Sequence, residues 1–242
     1  RADDDKKYTF GDPFHLHLEP TIREAIMRQG AGTPVDLQPD DFVVYRTEHL
    51  TQSSTVLMID MSRSMLFRGL FQAAKRVALA LDSLIRSQFP SDNLFVVLFA
   101  EYARQIRSEE IAGLYWDEHT VGTNLQHGLM LSRQLLARHK GGTRQVIVVT
   151  DGEPTAHLED GIAEFNYPPT SRTLMETLRE VKRCSRDGIV INTFMLDNER
   201  GLVDFVNHLT KLNKGRAFFA TPERLGEYVL VDYVASKRKR IA

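Results

Sequence analysis

From Thr55 onward the apolar residues fall into two alternating patterns. Short continuous runs, "TVLMI", "FVVLF", "VIVV" and "IVINTFML", are separated by stretches in which apolar positions recur every three or four residues. The continuous runs read as strands buried on both faces, and the longer recurrence reads as amphipathic helix. In chain order the strand "TVLMID" is followed by a helix over "FRGLFQAAKRVALALDSLIRSQ" and a strand "NLFVVLFA", with "ARQI" as a short partner strand. A helix "LQHGLMLSRQLLARH" ends at Gly141-Gly142, and the strand "RQVIVVTDG" follows. The helix "SRTLMETLREVKRCSRD", stopped near Gly188, leads to the strand "IVINTFML". The helix "LVDFVNHLTKLN", the strand "RAFFA" and the helix "PERLGEYVLVDYVASK" complete the order. This alternation predicts an α/β fold, a doubly wound and mostly parallel central sheet with helices on both faces.

The first fifty residues do not follow that rhythm. Residues 1–13 are polar and read as a linker. "TIREAIMRQ", Thr21 to Gln29, reads as a short helix closed by Gly30, and Asp41 to Leu50 alternates like a strand at a sheet edge. The expected organisation is therefore an N-terminal linker, short helix and edge strand over residues 1–50, and one larger domain over 51–242. The opening "RADDDKKY" begins with arginine, which fits a piece of a longer protein.

Composition narrows the classes. Hydrophobic residues make up 42% of the 242, enough for a substantial core, and the formal net charge of -1 gives no electrostatic case for nucleic acid. The strongest basic cluster, "SKRKR" from Ser236, reads as a solvated tail. A single cysteine, Cys184, cannot form an internal disulfide, and on an amphipathic helix it reads as packing. With no apolar run of about 20 residues and no signal peptide, a cytoplasmic protein without a membrane span is expected.

The chemistry gathers at strand ends. Asp60 ends one apolar run and Asp151 another, so both carboxylates are expected at the same edge of the sheet, where open α/β sheets hold ligands. Ser62 and Ser64 follow Asp60 in "DMSRSM", and Thr123 lies in a loop, "VGTNL", able to reach that edge. Two carboxylates at the end of a dry core repel each other and call for a proton, a cation or water. The other members of the set are hydroxyls. An all-oxygen set suits hard divalent cations, Mg²⁺ or Mn²⁺, over soft metals. Asp, Ser and Thr after a strand also serve as helix caps, and Asp151-Gly152 alone would be an ordinary turn. It is the whole combination that favours a metal.

With "DMSRSM", Thr123 and "TDGEP" in this order, the chain resembles the von Willebrand factor type A (vWA) domain from about Ser54 to Lys237. The resemblance implies a Rossmann-like fold and a metal-ion-dependent adhesion site (MIDAS). In it Ser62, Ser64 and Thr123 stand near Mg²⁺ or Mn²⁺, Asp60 and Asp151 act through water, and a partner's Asp or Glu completes the shell. "LQPDDFVVYRTEHLTQSSTVLMIDMSRSM" is similar to intracellular bacterial members, the CoxE-like proteins and the integrin-like domain of magnesium chelatase. Such proteins work beside MoxR-type or other AAA+ ATPases. The sequence carries no phosphate loop G-x-x-x-x-G-K-[ST], so an ATPase would be a partner.

Around the set, Arg63 reads as simply solvated, or as pointing outward to meet an acidic partner, and Glu153 is the nearest acid able to take the metal's open position in the absence of a partner. His157 reads as a solvated surface histidine. Trp116, Asp117 and His119 are expected on the rim. The stretch from Gly152 to Ser171 reads as a long specificity loop or a mobile insertion. His15 and His17 have strand spacing without the further ligands of a zinc set. The expected function is a non-enzymatic, metal-dependent protein-binding module. The alternatives are a phosphatase of the haloacid dehalogenase type, for which Ser62 stands where a second acid is needed, and a scaffold with a vacant metal site.

Overall fold

The computed structural model describes residues 5–12, 14–45, 52–115, 120–197 and 200–237. The chain divides into two compact units, one containing Arg1–Leu50 and the other spanning Thr51–Lys237.

In the first unit β1 (Asp5–Lys7) pairs antiparallel with β2 (Val43–Tyr45), beside α1 (Leu18–Gln29). The helix starts three residues before the expected Thr21, because Pro20 is tolerated in a first turn whose amides have no helical acceptor. Gly30 closes it with φ 83°. The expected strand over 41–50 is confined to β2: Pro39–Asp41 form a 3₁₀ turn, and residues 46–50 lie outside the described set. His17 bonds Asp5 at 2.8 Å and stacks on Tyr45 at 4.2 Å, while the His15 carbonyl accepts from the Tyr45 amide. The two histidines thus brace a small sheet.

The second unit runs β3 (Ser53–Asp60), α2 (Arg63–Phe67), α3 (Leu70–Gln88), β4 (Asn93–Phe99), β5 (Ala103–Ile106) and α4 (Leu125–Leu136). It continues with β6 (Thr143–Thr150), β7 (Ala156–Glu159), β8 (Ile162–Phe165), α5 (Ser171–Arg186) and β9 (Ile189–Met195). It closes with α6 (Arg200–Asn213), β10 (Ala217–Phe219) and α7 (Leu225–Lys237). Six strands form one sheet in the order β10-β9-β6-β3-β4-β5, all parallel except β5, which lies antiparallel to β4. From β3 the chain crosses to β4 on one side and later returns to β6 on the other. The switch in strand order therefore falls at β3, whose carboxyl end carries Asp60.

Alternation along β3 feeds two cores. Leu57 and Ile59 pack with Leu70, Val77 and Leu81 of α3 and with Val229 and Tyr233 of α7. Val56 and Met58 pack on the other face with Leu129 of α4, Val181 and Cys184 of α5, and Phe205 of α6. Burial of each such side chain is worth about 1.5–3 kcal/mol, which fixes the register and hence the strand ends. At the opposite edge Gly142, with φ 74°, is obligatory: a Cβ there would lie 1.9 Å from the Gln52 carbonyl oxygen.

In the second unit two further expectations are corrected, as the linker reading of residues 1–13 is by β1 in the first. The single helix from Phe67 is broken into α2 and α3 at Arg68-Gly69, where Gly69 takes φ 67°. The stretch from Gly152 to Ser171 is not a long loop. It folds into the β7–β8 hairpin, turned by Asp160 (φ 51°) and Gly161 (φ 85°). Positive φ at both positions is the signature of a tight Asp-Gly hairpin turn.

Candidate metal centre

Four of the five proposed residues share one chain of hydrogen bonds. Asp60, wholly buried, accepts the Ser62 amide on Oδ1 at 2.7 Å. The Ser62 and Ser64 hydroxyls lie 3.1 Å apart, and Ser64 Oγ donates to Asp151 Oδ1 at 2.8 Å. The short α2 makes this possible: it turns the chain immediately after β3, and Ser62 and Ser64 project back toward the end of β6. Ser62 occupies the N-cap position of α2, yet its side chain makes no capping bond. Capping therefore does not account for it.

Thr123 arrives by another route. Its amide donates to Thr155 Oγ1 at 2.9 Å, and its carbonyl accepts from the Thr155 amide at 3.1 Å. The next residue, Asn124, donates through its amide to the Ala100 carbonyl at 2.7 Å. The loop is thus held between the end of β4 and the start of β7, and Thr123 is buried without joining the hydrogen-bonded chain of the other four. Gly122 (φ 77°) permits the approach: a Cβ would lie 2.9 Å from the Phe165 ring.

The electrostatics are those of a charge site lacking full compensation. Burial, then the neighbouring Asp151 charge, pushes the Asp60 carboxyl up to about 7. Burial also raises Asp151. Asp151 Oδ2 is buried and makes no hydrogen bond; the Arg68 guanidinium stands 3.6 Å away, paired with Asp197 at 2.5 Å. Among the described residues no group of three or more His, Cys, Asp and Glu comes together as a metal cage. The donor set is hydroxyl and carboxylate oxygen. A buried carboxylate oxygen without a hydrogen bond, a second buried carboxylate and the serine hydroxyls beside them fit a hard divalent cation.

Three contributors were missed by sequence reasoning. Thr150 Oγ1 donates to Asp60 Oδ2 at 2.5 Å; Arg68 faces Asp151; Asp197 follows β9 as Asp60 ends β3. For Asp197 the signal was present, since "INTFMLD" is another apolar run closing in aspartate. The structure also places the remaining candidates. His157 is buried, not solvated, its Nδ1 3.1 Å from Thr173 Oγ1. Glu153 packs against Gly201, where a Cβ would stand 2.5 Å from its Oε1. Arg63 lies over the exposed Phe67 ring at 5.3 Å. Cys184 is buried in the core, as expected. Trp116, Asp117 and His119 lie outside the described residues. No helix among the described residues is long and apolar enough to cross a membrane.

Residues 53–234 match the family profile "Rv0959-like protein, vWA domain". The chain belongs to the Rv0959-like family. Residues 1–47 match the third domain of Rv0959-like proteins. The chain is 36% identical over 241 residues to uncharacterized protein Rv0959 of Mycobacterium tuberculosis H37Rv and to uncharacterized protein Mb0984 of Mycobacterium bovis. The match covers 97% of this chain and 36% of each relative, so the chain spans about a third of their length. Solved structures share the fold of this Rv0959-like vWA domain. The pilus adhesin SpaC of Lactobacillus rhamnosus GG superposes with a TM-score of 0.60 at 17% identity, covering 80% of this chain and 31% of the adhesin. The vWF domain of the pilus tip protein Mfa5 of Porphyromonas gingivalis gives 0.57 at 14% identity, covering 80% and 98%. A von Willebrand factor type A protein of Catenulispora acidiphila gives 0.54 at 18% identity, covering 78% and 42%.

Proposed function

We propose that this vWA domain is a non-enzymatic protein-binding module that reads an acidic side chain through a bound Mg²⁺ or Mn²⁺. The observation that carries the reading is the Asp60–Ser62–Ser64–Asp151 chain of hydrogen bonds, which reaches Asp151 on Oδ1 and leaves its buried Oδ2 without a hydrogen bond. Ser62, Ser64 and Thr123 would offer hydroxyl oxygens to the ion, with Asp60 and Asp151 behind them as counter-charge. A cation held mainly by neutral oxygens keeps positive charge to spare, and the partner's Asp or Glu would supply the missing anion. Such a site would be a MIDAS, as the sequence resemblance implies.

The same resemblance, to the CoxE-like and magnesium-chelatase-like branch, makes a cytoplasmic MoxR-type AAA+ ATPase the first partner to test. Catalysis is not part of the proposal, because Ser62 stands where a phosphatase of the haloacid dehalogenase type needs a proton donor. The pilus proteins among the structural neighbours agree with a binding role, but at 14–17% identity they speak only for the fold.

The test uses Mn²⁺ as probe. Water-proton relaxation should report Mn²⁺ bound with exchangeable water, and a short peptide carrying a single glutamate should displace part of that water, whereas its glutamine counterpart should not. Equal displacement by both peptides would remove the carboxylate from the proposal.

A further inference from the structure

We propose that the groove between α5 and α6 binds an acidic, partly apolar segment of a second protein, independently of the metal centre. Arg179, Lys182, Arg183 and Arg186 recur at i, i+3, i+4 and i+7 on α5, which places them in one stripe on the helix face. With Ser185 and Leu212 they line a groove of about 560 Å³. In the linear run "METLREVKRCSRD" the stripe is masked by the acids that interleave with it.

The local acids are already engaged. Glu180, fully buried, accepts from Arg133 Nε at 2.6 Å and from Arg183 Nη1 at 2.8 Å. Glu176 pairs with Arg179, and Asp187 faces Arg133 at 3.4 Å. Lys182 and Arg186 are exposed and have no ion-pair partner among the described residues. Compensation of the helix dipole accounts for cations in the last turn, Arg183 and Arg186, but not for Arg179 and Lys182 a turn earlier.

The groove has a fixed floor. Asn213 Nδ2 donates to Ser185 Oγ at 2.8 Å, and Ser185 Oγ donates to the Leu212 carbonyl at 3.2 Å, tying the two helices together. Leu212 and the aliphatic stems of the basic side chains give that floor an apolar surface. From Arg179 to Arg186 the stripe spans about 10 Å of helix, bounded by Glu176 before it and Asp187 after it. Phosphate-backbone binding strengthens with each charge neutralised, and here only Lys182 and Arg186 lack an ion-pair partner among the described residues, which suits two carboxylates flanking an apolar side chain. The groove lies toward the amino ends of the strands, since α5 ends three residues before β9 begins. Asp60 and Asp151 stand at their carboxyl ends.

Fluorescence anisotropy tests the proposal with a short labelled peptide of repeating Glu-Glu-Leu, added to the full chain. Saturable binding is expected, unchanged by chelator and weakened by about tenfold in Lys182→Glu/Arg186→Glu. Leu212→Ser should weaken it by about threefold, a loss that pure charge attraction would not produce. Both cations are exposed, so the double variant should keep the circular dichroism of the parent; Lys182→Gln/Arg186→Gln serves as the milder pair. No binding, or binding indifferent to these substitutions, would overturn the proposal. Tighter binding of a single-stranded oligonucleotide of matched charge would overturn it in favour of nucleic acid.

Discussion

Ser64 and Asp151, 87 positions apart in the chain, meet in a 2.8 Å hydrogen bond at the carboxyl edge of the sheet. That bond joins the turn after β3 to the end of β6. It is the only hydrogen bond held by the Asp151 carboxylate among the described residues. Ser64→Ala therefore leaves the buried carboxylate with the Arg68 guanidinium, 3.6 Å from Oδ2, as its remaining charged neighbour. A cost of about 1–3 kcal/mol is expected in chemical denaturation, together with a loss of Mg²⁺ affinity. An unchanged denaturation midpoint would mean that Asp151 is satisfied by other means.

Stability should depend on pH through Asp60. Its carboxyl titrates near 7 in the folded chain against an ordinary value of 3.8, so between these values the folded state keeps a proton that the unfolded chain has lost. Its contribution is fully present below about 4 and disappears as pH rises through about 7. Mg²⁺ requires the carboxylates ionised, so the ion should raise the melting temperature more at pH 8 than at pH 5. Comparison with Asp60→Asn isolates this group. Equal stabilisation by Mg²⁺ at the two pH values would contradict the assignment.

The parallel sheet was readable in advance because strands buried on both faces leave continuous apolar runs, and "VLMI", "FVVLF" and "VIVV" occupy its centre. The edge carrying Asp60 and Asp151 followed from strand ends alone. The rest depended on information that local pattern does not carry. Gly69 breaks a helix whose apolar spacing continues across it. His157 is buried because the β7–β8 hairpin folds back over α4, a tertiary event without trace in its neighbours, although Asp160-Gly161 announced the hairpin itself. Arg68 and Thr150 meet the carboxylates only once β3 and β6 lie side by side.

A buried ion pair should prove costly to break. Asp92 accepts from the Ser53 amide at 2.8 Å and from the Tyr233 hydroxyl at 2.5 Å, and pairs with Lys237, whose side chain is 2% exposed. It clasps the first residue of β3 to the last turn of α7. Asp92→Ala removes the carboxylate shared by the Ser53 amide, the Tyr233 hydroxyl and Lys237, and should destabilise the domain by about 3–5 kcal/mol. Adding Lys237→Met should recover part of the loss. A single substitution that costs nothing would show that this cluster is satisfied without Asp92.

Cys184 should be inert until the domain unfolds. Burial pushes its thiol up to about 12, so almost no thiolate exists at neutral pH, and the side chain is enclosed by the α4–α5–α6 core. Labelling with a disulfide-exchange reagent should follow the same denaturant curve as circular dichroism. Rapid labelling of the native chain would place the cysteine in a locally opening segment.

The central claim is that Asp60, Ser62, Ser64, Thr123 and Asp151 hold a divalent cation. Calorimetric titration of Mg²⁺ and Mn²⁺ into the chelator-stripped chain, beside Asp60→Ala and Thr123→Ala, tests it most directly. Saturable binding of one ion by the parent, absent from both variants while their circular dichroism is retained, is the predicted result. Binding that survives in both variants, or its absence from the parent even with acetate present to complete the shell, would contradict the account.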